Sequence, residues 1–204
     1  MTPRIGLFGG SFDPVHNAHL ALASAAREAL ALDELRWIPA GQPWQKEKAR
    51  AITPAPQRLA MLELALQGRP GHVIDRIEID RSGPSYTIDT VRALQAAHPA
   101  ARLVLIVGQD QYGNLHTWHD WRELLSRVDL AVAGRPGANA AVDERVALLG
   151  AALVPLPPMA ISATEIRQRV AAGLPIDHLV PAAVAGYIAH EALYRSAEPP
   201  AHRS

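Results

Sequence analysis

The 204-residue chain contains no cysteine. That excludes disulfides, thiolate metal sites and a cysteine nucleophile, and it fits a reducing compartment. Lysine is scarce, with only Lys46 and Lys48, and the formal net charge is zero. Without a basic excess there is no drive for non-specific binding to a phosphate backbone, so no nucleic-acid partner is expected. No apolar stretch is long enough to span a bilayer, and Met1-Thr2-Pro3-Arg4-Ile5 carries no signal-type apolar region. The expectation is a cytoplasmic protein with no membrane partner. Also missing are a GxxxxGK run followed by Ser or Thr, a GxGxxG fingerprint and an HExxH pair. These absences argue against a P-loop NTPase, a hydride-transferring dinucleotide fold and a zinc protease. There is no internal repeat, heptad pattern or low-complexity block.

What is present is enough apolar sequence for a sizeable core, 49% of residues. One domain is expected over residues 1–194, with 195–204 as a polar, Pro-containing flexible tail. Apolar runs predict strands at Ile5–Phe8, Leu35–Ile38, Val73–Ile79, Leu103–Val107 and Leu130–Ala133, with a weaker one at Leu153–Leu156. The unbroken run Leu103-Val104-Leu105-Ile106-Val107 predicts a strand covered on both faces. Helical spacing predicts helices at His19–Leu32, Ala55–Leu66, Ile88–Ala97, Ser162–Ala172 and Pro181–Leu193. The fourth opens with Ser162 and Glu165 in capping-box spacing. Strands alternating with helices of this length predict an α/β protein with a mainly parallel sheet. The Pro-rich stretch 40–56 predicts a mobile loop over the site.

Directly behind the first strand stand Gly9-Gly10-Ser11-Phe12-Asp13-Pro14-Val15-His16-Asn17-Ala18-His19. Glycines let backbone N–H groups approach an anion, and a helix start adds the positive end of its dipole. His16 and His19, three apart, put both rings on one side of that helix start and are expected to act as charged donors. A second anion-binding helix start is predicted at Ile161-Ser162-Ala163-Thr164-Glu165-Ile166-Arg167, where Arg167 offers a planar fork for phosphate. Two such starts suit a triphosphate. His116 and His119 form a second His-x-x-His pair for which a zinc reading exists, but no cysteine and no HExxH accompany it. Trp37 is assigned to the core and Trp121 to helix packing. His72, His98, His178, His190 and His202 are assigned to the surface without a role.

The first and last motifs resemble the HxGH nucleotidyltransferase superfamily. Further pieces appear in order: Gln57-Arg58 with Met61-Leu62, Pro84-Ser85-Tyr86-Thr87, Gly108-Gln109-Asp110, Thr117-Trp118 and Arg135-Pro136-Gly137. Together they cover nearly the whole chain and resemble the nicotinate-nucleotide adenylyltransferases. The resemblance implies a Rossmann-like sheet with helices on both faces. The activity it implies is transfer of the adenylyl group of ATP to nicotinate mononucleotide in NAD biosynthesis, with Mg²⁺ accompanying the ATP. His16, His19 and Arg167 would be catalytic, and Gly10, Ser11, Lys46, Ser162 and Thr164 would bind ATP and its phosphates. Gly108 and Asp110 would meet a ribose. Trp118 would stack on the pyridine ring, while Thr87 and the backbone of His119 would meet the nicotinate carboxylate.

Two positions depart from the pattern. Ala18 replaces the usual glycine of HxGH, and Gln45 in Pro43-Trp44-Gln45-Lys46 replaces a loop histidine, which leaves Lys46 or Lys48 as the loop cation. Alternatives within the superfamily are the pantetheine-phosphate branch, which typically has Thr where His16 stands, and the nicotinamide-preferring branch. A non-catalytic nucleotide sensor is a third, weakened by the presence of both histidines and Arg167. A homo-oligomer is left open.

Overall fold

The computed structural model describes residues 2–41, 52–134, 142–157 and 159–195. Six parallel strands form one sheet in the order β3-β2-β1-β4-β5-β6. They are β1 (Arg4–Gly10), β2 (Glu34–Pro39), β3 (His72–Ile74), β4 (Arg102–Gly108), β5 (Asp129–Gly134) and β6 (Ala152–Pro155). The order runs outward from β1 to β3 and then resumes on the other side of β1 with β4. The β1–β4 boundary is therefore the switch point, where the carboxyl ends of strands diverge and leave a crevice. Gly9-Gly10 and Gly108 sit at those two carboxyl ends.

The helices are α1 (Asn17–Ala29), α2 (Ala55–Leu66), α3 (Thr87–Ala97), α4 (Gln109–Gly113), α5 (Trp121–Arg127), α6 (Glu144–Ala147), α7 (Ala163–Ala171) and α8 (Ala182–His190), with a 3₁₀ turn at Leu115–Thr117. They cover both faces of the sheet. On one face Phe8, Trp37, Val104, Ile106, Ala131 and Val154 pack with residues of α1, α2, α7 and α8. On the other Leu7, Leu105, Val107, Leu130 and Val132 pack with residues of α3, α5 and α6. The alternation along β4 explains its unbroken apolar run, since both sets of side chains are buried.

The expected strands and long helices are present, with two instructive differences. The third strand was expected to run to Ile79 but ends at Ile74. There Asp75 turns its carboxylate back to accept the Ile77 N–H at 3.0 Å, a local turn that competes with the ladder. The first helix was expected from His19 but begins at Asn17, with His16 as its N-cap. Helices α4, α5 and α6 were not expected; at 5, 7 and 4 residues they are too short to show a helical period. Residues 42–51, which hold Trp44, Gln45, Lys46 and Lys48, lie outside the described residues, as do Arg135-Pro136-Gly137 and residues 196–204.

Candidate active site

The turn between β1 and α1 is built by contacts from distant parts of the chain. Arg58, fully buried on α2, spends each guanidinium nitrogen on a different carbonyl: Nε on Thr53 at 2.8 Å, one terminal nitrogen on Ser11 at 2.9 Å and the other on Ala40 at 2.8 Å. It thereby pins Ser11 to the exit of β2, where the Ala40 N–H also donates to the Gly10 carbonyl. Burial lowers the Arg58 pKa, against the opposing pull of Asp13 and, less, of Tyr194. Asp13, also buried, accepts the Tyr194 hydroxyl at 2.7 Å, and burial pushes that phenol upward. The start of α1 is tied to the turn before α8, since the Asn17 N–H donates to the Leu179 carbonyl at 2.9 Å.

The two histidines form a stacked pair, with ring centroids 3.6 Å apart and planes 21° apart. The His16 backbone N–H donates to Nδ1 of His19 at 3.2 Å. His19, in the third helical position, thus takes the place that Glu or Gln holds in a capping box. That bond requires an unprotonated Nδ1, which assigns the proton of the neutral ring to Nε2. The His19 ring stands edge-on to Phe12 and Phe8, which in turn pack on the buried Trp37. An aromatic stack thus fixes its orientation from behind.

His16 departs from expectation. Burial lowers its imidazole to about 4, so it is neutral near pH 7 rather than a charged donor, and its Nδ1 has no partner among the described residues. The folded value lies below the ordinary 6.5, so as pH falls the unfolded chain takes up the proton first. Stability should be full above about pH 6.5 and decline toward pH 4, by up to roughly 3 kcal/mol. Thermal unfolding followed across this range should show the decline, and His16→Gln should flatten it. An unchanged slope in that variant would contradict the burial argument.

Arg167, one turn into α7, reaches 154 residues back along the sequence to donate to the Asp13 carbonyl at 2.8 Å. Its other terminal nitrogen donates to the Thr164 hydroxyl at 3.0 Å. The two motifs at opposite ends of the chain therefore meet at the β1–α1 turn. Ser162 caps α7 as expected, its hydroxyl accepting the Glu165 N–H at 3.1 Å.

In front of this turn lies a cleft of about 380 Å³ at the switch point. Its lining includes Gly9, Gly10, Ser11 and His19 of the β1–α1 turn, Ser85, Tyr86 and Thr87 at the start of α3, and Gly108, Trp118 and His119. Tyr86 stacks on His119, with centroids 4.3 Å apart. Trp118 is half-buried against the core of the α3–α5 face while also lining the cleft. Of the residues singled out from sequence, the cleft gathers Gly10, Ser11, His19, Thr87, Gly108, Trp118 and His119. His16 stacks on His19 without being among the lining residues, and Arg167, Ser162 and Thr164 are not among them either. Asp110 is exposed on α4 and is not among the lining residues. Lys46 lies outside the described residues.

Sequence reasoning did not assign Arg58, Asp13, Tyr194, Glu78 or Gln111 a place in the site. Arg58 stood inside a resembling motif, but nothing local signals its burial. His72 was assigned to the surface and instead is half-buried, with its Nδ1 accepting the Trp37 indole N–H at 2.9 Å. Burial and the nearby Arg27 and Arg69 lower its pKa, which favours that neutral acceptor. Of the other histidines so assigned, His178 and His190 are exposed and His98 is half-buried after α3. His202 lies outside the described residues.

A side chain at Gly9 or Gly108 would meet nothing within 4 Å, so both glycines leave cleft volume open. Gly108 has φ −79°, which any residue adopts. Gly108→Val should therefore fold normally, within about 0.5 kcal/mol as at an uncrowded site. It should still lower kcat/KM by at least about tenfold, because the added methyls displace substrate. Calorimetry and steady-state kinetics would check both halves, and intact kinetics would remove Gly108 from the substrate path.

Residues 7–169 match the cytidylyltransferase-like family. The chain is 50% identical over 197 residues to a probable nicotinate-nucleotide adenylyltransferase of Methylibium petroleiphilum, spanning 94% of this chain and 92% of that relative. It is likewise 50% identical over 198 residues to one of Bordetella pertussis, spanning 94% and 98%. The chain belongs to the nicotinate-nucleotide adenylyltransferases. The fold agrees with that of the Plasmodium falciparum nicotinic acid mononucleotide adenylyltransferase complexed with NaAD, at a TM-score of 0.79 and 18% identity over 94% of this chain and 97% of the other. Nicotinate-nucleotide adenylyltransferases are nucleotidyltransferases of NAD biosynthesis, as the ordered motifs implied, and the pantetheine-phosphate and sensor alternatives give way to that family.

Proposed function

We propose that this chain performs adenylyl transfer from ATP to nicotinate mononucleotide within the single switch-point cleft, giving deamido-NAD and pyrophosphate. The observation that carries this is that one cleft gathers a glycine turn with the His19 imidazole, an indole, a stacked Tyr–His pair and a helix start.

A phosphate oxygen of the mononucleotide attacks the α-phosphorus of ATP in line, and pyrophosphate leaves. That oxygen is already anionic near pH 7, so the protein needs no strong general base. Its task is to position the two phosphates and to stabilise charge that builds on the transferred group. His19 is the donor through Nε2. His16 is a neutral imidazole that gains basicity when an anion arrives beside it. Arg167 supplies permanent positive charge from α7, and Gly10 and Ser11 cradle phosphate. Ser162 and Thr164 are proposed to bind ATP phosphate from the start of α7, and Lys46 to act as a loop cation. Gly108 and Asp110 are proposed to meet ribose, Trp118 to stack on the pyridine, and Thr87 and His119 to hold its carboxylate.

Mg²⁺ is proposed to arrive bound to ATP, where it neutralises the leaving phosphates. Among the described residues no group of three or more His, Asp or Glu side chains is arranged to hold a metal. Among the described residues no helix is long and apolar enough to cross a membrane.

Pyrophosphate release from ATP, measured with nicotinate mononucleotide, nicotinamide mononucleotide or phosphopantetheine as acceptor, tests the reading. Release should be fastest with the nicotinate acceptor, by at least about tenfold over the carboxamide, since a site built for an anion leaves the neutral group poorly paired. Faster release with phosphopantetheine, or none with any acceptor, would overturn it.

A further inference from the structure

Behind the first turn of α3 lies a buried polar cluster that the reaction itself does not use. Glu78, which is buried, accepts the Thr90 hydroxyl at 2.9 Å, and the Ser85 hydroxyl also donates to its carboxylate. Each hydroxyl also accepts a bond from a second group. Thr90 accepts from Arg81 at 3.3 Å, and Ser85 accepts the Gly41 N–H at 3.2 Å. Each hydroxyl proton points to a carboxylate oxygen of Glu78, which accepts it. Burial pushes the Glu78 carboxyl up, and the donors with Arg81 oppose it.

Ser85 and Thr90 bracket Tyr86 and Thr87, the N-cap and first residue of α3. Holding both brackets fixes the backbone that opens α3 toward the cleft, together with the Tyr86 ring that stacks on His119. The cluster also locks the exit of β2. A side chain at Gly41 would run into the Glu78 carbonyl oxygen, which leaves room only for glycine there.

We propose that Glu78 is a positioning residue for specificity, fixing the α3 start so that its N–H groups meet the anionic substituent of the pyridine substrate. This rests on the reading of the cleft wall formed by Tyr86, Thr87, Trp118 and His119 as the mononucleotide site. The role runs against simple electrostatics, and the two are separable by sign. Glu78 itself lines the cleft. As a bare charge it would repel an anionic substrate, so its neutralisation would tighten binding. As a positioning group its loss loosens binding.

Steady-state kinetics of Glu78→Gln test this in the full-length enzyme. The expected result is a KM for nicotinate mononucleotide raised about tenfold, with the ATP KM within about twofold of wild type and a reduced preference over nicotinamide mononucleotide. Ser85→Ala and Thr90→Val, which each remove one donor, should show the same split, and Ser85→Ala combined with Glu78→Gln should be less than additive. They serve as the test if Glu78→Gln does not fold. An unchanged or lowered mononucleotide KM, or equal shifts in both KM values, overturns the proposal. Trp118→Ala separates the two levels of the argument. It should raise the mononucleotide KM far more than the ATP KM, and equal shifts there overturn the site reading and the positioning role with it. A selective Trp118 effect with an unselective Glu78 effect overturns the positioning role alone.

Discussion

His19→Ala should lower turnover with ATP and nicotinate mononucleotide by about 10²–10³-fold, the loss typical of one well-placed donor to a charged transition state, about 3–4 kcal/mol. Two contacts make His19 such a donor. Its Nδ1 is occupied by the His16 backbone N–H, which assigns the proton to Nε2. Its ring is held edge-on by Phe8 and Phe12, so the orientation is set before substrate arrives. The substitution also removes that bond to the His16 N–H, a cost to stability of about 1 kcal/mol that the fold should survive. Turnover should fall much more than either KM rises, since the interaction strengthens as charge develops. Near-normal turnover in a folded variant would remove His19 from the chemistry.

Arg58→Met should have the largest effect on stability, about 3–5 kcal/mol, although Arg58 does not touch substrate in this account. Its three nitrogens satisfy the carbonyls of Thr53, Ser11 and Ala40. Removing the guanidinium leaves those acceptors without their donor and takes one of the positive charges near Asp13 away. In a chain of this length that corresponds to a melting temperature lower by roughly 10 °C. Arg58→Lys should recover little, because one compact ammonium cannot span three carbonyls that a planar fork reaches at once. The surviving enzyme should show a raised ATP KM, since Ser11 loses its anchor. A midpoint within about 2 °C of wild type would show that the three bonds contribute little.

The sheet was legible because its strands are apolar runs of ordinary length, and β4 even declared that both its faces are buried. The glycine–histidine turn was legible because its chemistry is local: two glycines, a helix start and a three-residue spacing. Other features were not, because they depend on contacts far along the chain. Arg58 reads as a polar residue at the front of an amphipathic helix, and the carbonyls of Ser11 and Ala40 that bury it lie 47 and 18 residues away. Glu78 reads as the polar member of an alternating strand, Ile77-Glu78-Ile79, until Asp75 turns the backbone and the two hydroxyls close over it. His16 reads as a cation, and only the packing around it makes it neutral. The convergence of Arg167 with the first motif was expected from two anion-binding helix starts, yet its place on the Asp13 carbonyl follows from the packing of α7 against the β1–α1 turn.

The central claim is that the imidazole pair and the Arg167 guanidinium close on one triphosphate. The most direct test is the structure of the full chain with a non-hydrolysable ATP analogue. The account predicts triphosphate oxygens within hydrogen-bond distance of His16, His19 and Arg167, above Gly10 and Ser11. A nucleotide bound elsewhere, or a triphosphate in the cleft that Arg167 does not reach, would contradict it.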